Sequence, residues 1–279
     1  DLDVIRLVEA SKELARCVRR EKEEGGDIRR YLPVAEIPAD NGVFGNLRAY
    51  GIRLWHQLFN PRQLLVLYKL IKYIRQRAQR LYEQHGELGI AAVLYLVLGL
   101  AKLVAYNSML TQWHSGSEVI RDLAGSQYAL GGKAKLGYDY IEVVPYVTLS
   151  WAFEASEEGE VEEKEVESTR GGILPVLRLL CTRLEGLWKD DLDAVYLWDA
   201  RELDNYLPEQ SIDLINVDPP YYDQHNYAGI TEFFWVIVQR ALRPVLNVLF
   251  PQDRVKLRNW HPESPEIPKN IEMSDKPPK

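Results

Sequence analysis

The spacing of apolar positions divides the chain into a helical first half and a mixed second half. Val4, Ile5, Val8, Leu14 and Val18 recur near helical spacing, so Leu2–Arg20 is expected to form an amphipathic helix. Glu21–Gly26 ends it in charge and glycine, and Asp40–Gly51 reads as a glycine-containing turn region. Asn60-Pro61 is a strong helix start, because Asn caps well and Pro suits the first helical position. Leu64, Leu65, Leu67, Tyr68, Ile71, Ile74, Ala78, Leu81 and Tyr82 then share one face, with basic residues largely opposite. Gly86 is expected to close this helix. A second, more buried helix runs to about Leu110, and the two are expected to form an antiparallel pair.

The period changes further on. Tyr138–Val147, rich in Tyr and Val, reads as strand or extended loop. Glu154–Glu167 holds eight glutamates and one lysine, the composition of a solvated linker. An α/β pattern follows: a helix over Gly172–Lys189, a strand over Ala194–Trp198 ending in Asp199, and a strand over Ile212–Val217 ending in Asp218. A largely buried helix is expected over Thr231–Leu249, with Phe233, Phe234, Trp235, Ile237 and Val238 in its core face. Apolar strands broken by helices imply a parallel sheet with ligands at the carboxyl ends of its strands. From Pro251 the chain is rich in proline and polar residues. Four regions are therefore expected: a mainly helical region with a basic helix (1–125), extended segments and the acidic linker (126–170), an α/β unit (171–250) and a proline-rich tail (251–279).

At 279 residues, with 46% hydrophobic and 27% charged residues, the composition is that of a globular protein with a real core. It excludes wholesale disorder and a disulfide-stapled miniprotein. Two cysteines, Cys17 and Cys181, favour a reducing compartment, and with no secretory signal at the start the expected location is cytoplasmic. The chain opens on Asp1, which suggests a processed protein or a fragment. Within the most apolar stretch, Leu88–Tyr106, the unbroken part Ile90–Ala101 is about 12 residues, which favours a buried helix over a membrane span.

Net charge is −7, but it is unevenly spread. Residues 1–85 hold 16 Lys/Arg against 11 Asp/Glu, and no acid occurs between Asn41 and Tyr82. Arg62, Lys69, Lys72, Arg75 and Arg80 lie in that stretch, where their field could track phosphates. A solvated helix face accounts for the charge alone equally well. The five histidines lack metal-site spacing and cysteine partners, so no metal is expected.

The sharpest chemical signal is Asp218-Pro219-Pro220-Tyr221, directly after an apolar run. Two prolines withhold their N–H groups and leave carbonyls as the available polar atoms. Asp218 and the Pro219 carbonyl could then accept both hydrogens of an exocyclic amine, while Tyr221 offers a ring on which a base stacks. The alternative for Asp218 is a turn residue before a proline pair, and for Asp199 a helix cap.

This motif resembles the catalytic motif of the S-adenosylmethionine-dependent amino-methyltransferases. The similarity extends through Tyr222, Asp223, Asn226, Tyr227 and the aromatic run Phe233–Trp235. It also takes in Leu58-Phe59-Asn60-Pro61-Arg62-Gln63-Leu64-Leu65, Tyr106-Asn107-Ser108, and Tyr138-Asp139-Tyr140 with Glu142 and Pro145. The ordered set looks like the large adenine-specific DNA methylases of archaea and bacteria. The resemblance implies an α/β fold, a partial Rossmann-like methyltransferase sheet with a large helical region. It implies S-adenosylmethionine as cofactor, contacted by Asp199 and Asp218, and methyl transfer to an exocyclic amine, foremost adenine N6. Asp218, Pro219, Pro220 and Tyr221 would be catalytic, and Tyr222, Asn226, Tyr227, Arg62, Lys69, Lys72 and Arg75 would bind the target base or its strand. DNA is the expected partner, RNA the alternative, and no membrane is expected.

One family element has no counterpart. The glycine-rich cofactor loop is absent, since Gly25-Gly26, Gly131-Gly132 and Gly171-Gly172 do not follow apolar strands. The expectation is that a missing segment or a second chain supplies it. The competing expectation is a non-catalytic nucleic-acid-binding or assembly subunit of a methylase.

Overall fold

A computed structural model describes residues 2–116, 119–122, 134, 136, 140–153, 173–174, 177, 200–205, 207–217 and 227–249. Helix α1 (Leu2–Glu23) leads through short 3-10 turns at Ile28–Arg30, Gly45–Tyr50 and Trp55–Leu58 into the long helix α2 (Pro61–Tyr106). Strands β1 (Thr111–His114) and β2 (Val119–Asp122) follow, then helices α3 (Pro145–Phe153), α4 (Tyr227–Leu242) and α5 (Leu246–Leu249). Among the described residues the architecture is thus mixed, with helices predominating over one small sheet.

Helix α2 begins where the sequence signals it. The Asn60 side chain accepts from the Gln63 N–H at 3.0 Å, and the Gln63 side chain accepts from the Asn60 N–H at 3.0 Å. At Gly86 the helix breaks, with φ 57° and ψ −129°, a conformation open to glycine because it has no Cβ. A Cβ on Gly89 would sit 2.1 Å from the Leu81 carbonyl oxygen, whereas residues eight apart in an unbroken helix are separated by about 12 Å along the axis. The two arms of α2 therefore meet at a sharp corner. By length and composition α2 is able to cross a membrane, and half of its most apolar window is buried inside the protein.

The core gathers around α2, against which α1, α3 and α4 all pack. Phe44, Trp55, Leu58, Phe59, Leu67, Tyr68, Ile71, Val93 and Leu100 are buried there with Phe233, Val236, Ile237 and Ala241 of α4. Residues of the first 125 and of the 171–250 stretch thus share one hydrophobic cluster. Pro244, which has no N–H for the ladder, accompanies the change from α4 to a 3-10 turn at Arg243–Val245.

Several sequence expectations are corrected. Ile212–Val217 is not a buried strand: no residue in it is assigned to a strand, and Leu214 is 85% exposed and Val217 67%. An apolar run becomes a strand only when a neighbour takes up its backbone hydrogen bonds, and none does so among the described residues. The sheet seen there is two-stranded and antiparallel, pairing Thr111 with Asp122 and Trp113 with Ile120. Tyr140–Val144 is irregular, and Pro145 starts α3 rather than continuing an extended segment. Helix α1 forms, but Leu2, Val4, Ile5 and Val8 face solvent, while its buried residues are Cys17 and Glu21. The expected strand Ala194–Trp198 lies outside the described residues, as does most of the helix Gly172–Lys189.

Candidate functional site

Three segments that the sequence sets far apart converge at the start of α2. The Asn60 Nδ2 group donates to the Tyr140 hydroxyl at 2.9 Å and to Glu142 Oε1. With Oδ1 serving as the helix cap, every polar atom of this buried amide is engaged. The other Glu142 oxygen pairs with Arg62, whose guanidinium also reaches Asp3 Oδ1 at 3.6 Å. Behind this layer, the Met109 N–H donates to the Leu58 carbonyl at 2.8 Å. The Thr111 hydroxyl accepts from the Ile141 N–H at 3.0 Å and lies 2.7 Å from the Ile141 carbonyl. Asn107 Nδ2 donates to the Thr148 hydroxyl at 3.2 Å.

Ser108, Thr111 and Thr148 are fully buried, so these bonds are made away from competing water. Two donors are left over. Gln63 Nε2 and Arg62 Nε are buried and have no hydrogen-bond partner among the described residues. A carboxylate held by an amide and a guanidinium, with spare donors beside it, is a rigid polar platform suited to orienting a ligand's acceptors.

A second fixture anchors α4, the helix that follows the Asp-Pro-Pro-Tyr segment. Phe233 lies 5.4 Å from the Phe44 ring, 6.0 Å from Trp55 and 6.0 Å from Phe59, nearly parallel to the last. Asn41 ties the first turns of α4 to the preceding loop, donating to Glu232 Oε2 at 2.7 Å and to the Gly229 carbonyl at 3.3 Å. Its Oδ1 accepts from the Val43 and Phe44 N–H groups at 3.0 and 2.8 Å, an Asx-type turn. Asn41 was legible in sequence only as part of a turn region.

The basic residues of α2 divide into two groups. Lys69 and Arg80 are exposed, as the phosphate-tracking expectation requires. Lys72 instead donates to the buried Glu21 at 2.5 Å, and Tyr68 donates to the same oxygen at 2.5 Å. Burial opposes the charge on Glu21, but these bonds outweigh it and hold the carboxyl below its ordinary value. The bond to Glu21 raises Lys72 above its own. Arg75 donates to the Arg240 carbonyl at 2.6 Å and stacks on Tyr31, 5.6 Å from the ring centre. Arg62, Lys72 and Arg75 are therefore engaged within the protein rather than arrayed on a free face.

Tyr227 is the first residue of α4 and half-buried. Asp199, Asp218, Pro219, Pro220, Tyr221, Tyr222 and Asn226 lie outside the described residues. Among the described residues no group of three or more His, Cys, Asp or Glu side chains comes together as a metal site. Burial keeps the half-buried His56 below the ordinary histidine value.

Comparison with known protein families, with curated proteins and with solved structures finds no match to this chain.

Proposed function

We propose that this chain serves in methyl transfer from S-adenosylmethionine to an exocyclic amine of a nucleic-acid base, foremost adenine N6 in DNA. The observation that supports this reading is the meeting of Asn60, Tyr140 and Glu142 in one partly buried polar hub. Those residues come from two of the sequence segments that resemble the amino-methyltransferases, set about eighty positions apart. Chance matches scattered along a chain have no reason to share a hydrogen-bond network.

In this reading the cofactor supplies an electrophilic methyl group. The residues assigned to it, Asp199 and Asp218, fall outside the described residues. Asp218 and the Pro219 carbonyl accept the two amine hydrogens, drawing the nitrogen toward tetrahedral geometry and offsetting the charge it gains. Tyr221 stacks on the base, which must leave a duplex to be reached. Lys69 and Arg80 face the phosphates of the strand. The Rossmann-like sheet belongs to this proposal as well: Ile212–Val217 takes up strand pairing when a further segment or a second chain brings the glycine-rich loop.

The exposure of Ile212–Val217 also favours a second reading, a non-catalytic binding or assembly subunit of a methylase. Radiolabel transfer to adenine-containing DNA separates the two. Asp218→Ala is expected to lower transfer by roughly 10² or more, the scale for losing one preorganised electrostatic contact. Cofactor titration should change much less. The assay uses the chain joined to the segment or partner that brings the glycine-rich loop. No transfer there would leave the binding subunit as the function, and near-normal turnover in Asp218→Ala would remove Asp218 from the reaction.

A further inference from the structure

Arg240 is the one fully buried cation among the described residues. Its Nε donates to the Arg29 carbonyl at 3.1 Å and its Nη1 to the Val236 carbonyl, but its Nη2 is buried with no partner among the described residues. Arg75 leans against it, bonded to the Arg240 carbonyl. Neither arginine forms an ion pair among the described residues. Further arginines lie near them, Arg243 beside both and Arg30 beside Arg75, which also meets Tyr31. Burial first, with Arg243 and Arg75 second, brings Arg240 down to about 10. Burial lowers Arg75 as well, against the opposing influence of Tyr31 and with Arg243 and Arg30 adding to it.

Gathering guanidinium groups in a poorly hydrated place is unfavourable unless an anion offsets them. The cluster has an open side. Arg30 is exposed and Arg243 is half-buried, so a ligand can reach the rim from solvent. Guanidinium forks match tetrahedral oxyanions through paired N–H bonds, and several forks around one point suit a phosphate better than a single carboxylate.

We propose that Arg30, Arg75, Arg240 and Arg243 form a binding site for a phosphate oxyanion, supplied by the backbone of a nucleic-acid strand. The strand as source rests on the functional reading above, whereas the anion site does not. Three chain segments build it, the Ile28–Arg30 turn, α2 and the α4–Arg243 junction, so it is distinct from the exposed Lys69 and Arg80 of α2.

The test uses the full chain, a labelled single-stranded oligonucleotide in a salt titration, and inorganic pyrophosphate by calorimetry. Arg30→Gln and Arg243→Gln avoid the buried Arg240. Lys12→Gln, on exposed α1, makes the same charge change elsewhere. Both ligands are expected to bind the native chain. Each arginine variant should weaken them by about tenfold and reduce the salt slope by about one, while Lys12→Gln changes neither. Variants that bind like the native chain, or a native chain that binds neither ligand, overturn the site. Pyrophosphate binding that the arginine variants lose, without oligonucleotide binding, keeps the anion site and overturns the nucleic-acid reading instead.

Discussion

Glu21 is 4% exposed while the Lys72 side chain keeps a quarter of its surface in water, so the pair is unequal from its two ends. Lys72→Met leaves a buried carboxylate with Tyr68 as its hydrogen-bond donor and Arg20 as its nearby charge, and is expected to cost about 3 kcal/mol. Glu21→Gln retains an acceptor for Tyr68 and lets Lys72 turn to solvent, which should cost about 1 kcal/mol. Urea unfolding of the two variants checks the order.

The pair also sets a pH dependence. The Glu21 carboxyl lies below its ordinary value of 4.5, so its contribution is present above that value and lost as pH falls through the lower folded one. Lys72 lies above its ordinary 10.5, so its contribution is present below 10.5 and lost only as pH rises through the folded value. Unfolding midpoints at about pH 3 and 6 should therefore differ less in Glu21→Gln than in the native chain. None of this was legible in the sequence, where Lys72 and Arg75 read as members of a basic stripe. Composition gives a cation's position along a helix but not the buried carboxylate or carbonyl it meets.

At the scale of elements, the legible features were those that local chemistry decides. The Asn60-Pro61 start, the break at Gly86 and the aromatic helix near Phe233 all rest on neighbours within a few residues. Ile212–Val217 misled because period and composition say nothing about whether a pairing neighbour exists. Helix α1 misled for a related reason: its spacing fixed a helix but not which face the core would take. The capping residue offers a test of the polar hub. Asp is as good an N-cap as Asn in water, yet Asn60→Asp would remove the Nδ2 donors and set a second carboxylate against Glu142. A cost of about 1–3 kcal/mol is expected at neutral pH. Adding Glu142→Gln should recover part of it, and a double-mutant cycle measures the coupling.

Across the whole molecule, one cluster binds the early aromatic residues to α4. The sequence marked Phe233 as buried but not its partners, because pairing across nearly two hundred residues leaves no local trace. Phe233→Ala removes a ring that touches Phe44, Trp55, Phe59 and Phe234, and should cost about 3–5 kcal/mol. If the 171–250 stretch were a separate unit, part of the melt would keep its native midpoint. A single transition displaced as a whole is expected by calorimetry.

That same packing puts the molecule at a disadvantage while it is being made. Phe44, Trp55 and Phe59 emerge from the ribosome some 174 or more residues before Phe233, their shared neighbour. Synthesis at about 5–20 residues per second turns that spacing into a wait of roughly ten to thirty-five seconds. Helical turns form within about a microsecond, so the nascent chain has its helices long before it has anywhere to bury them. The interval is governed by translation rather than by folding, and throughout it the aromatic face is open to chaperones or to other nascent chains.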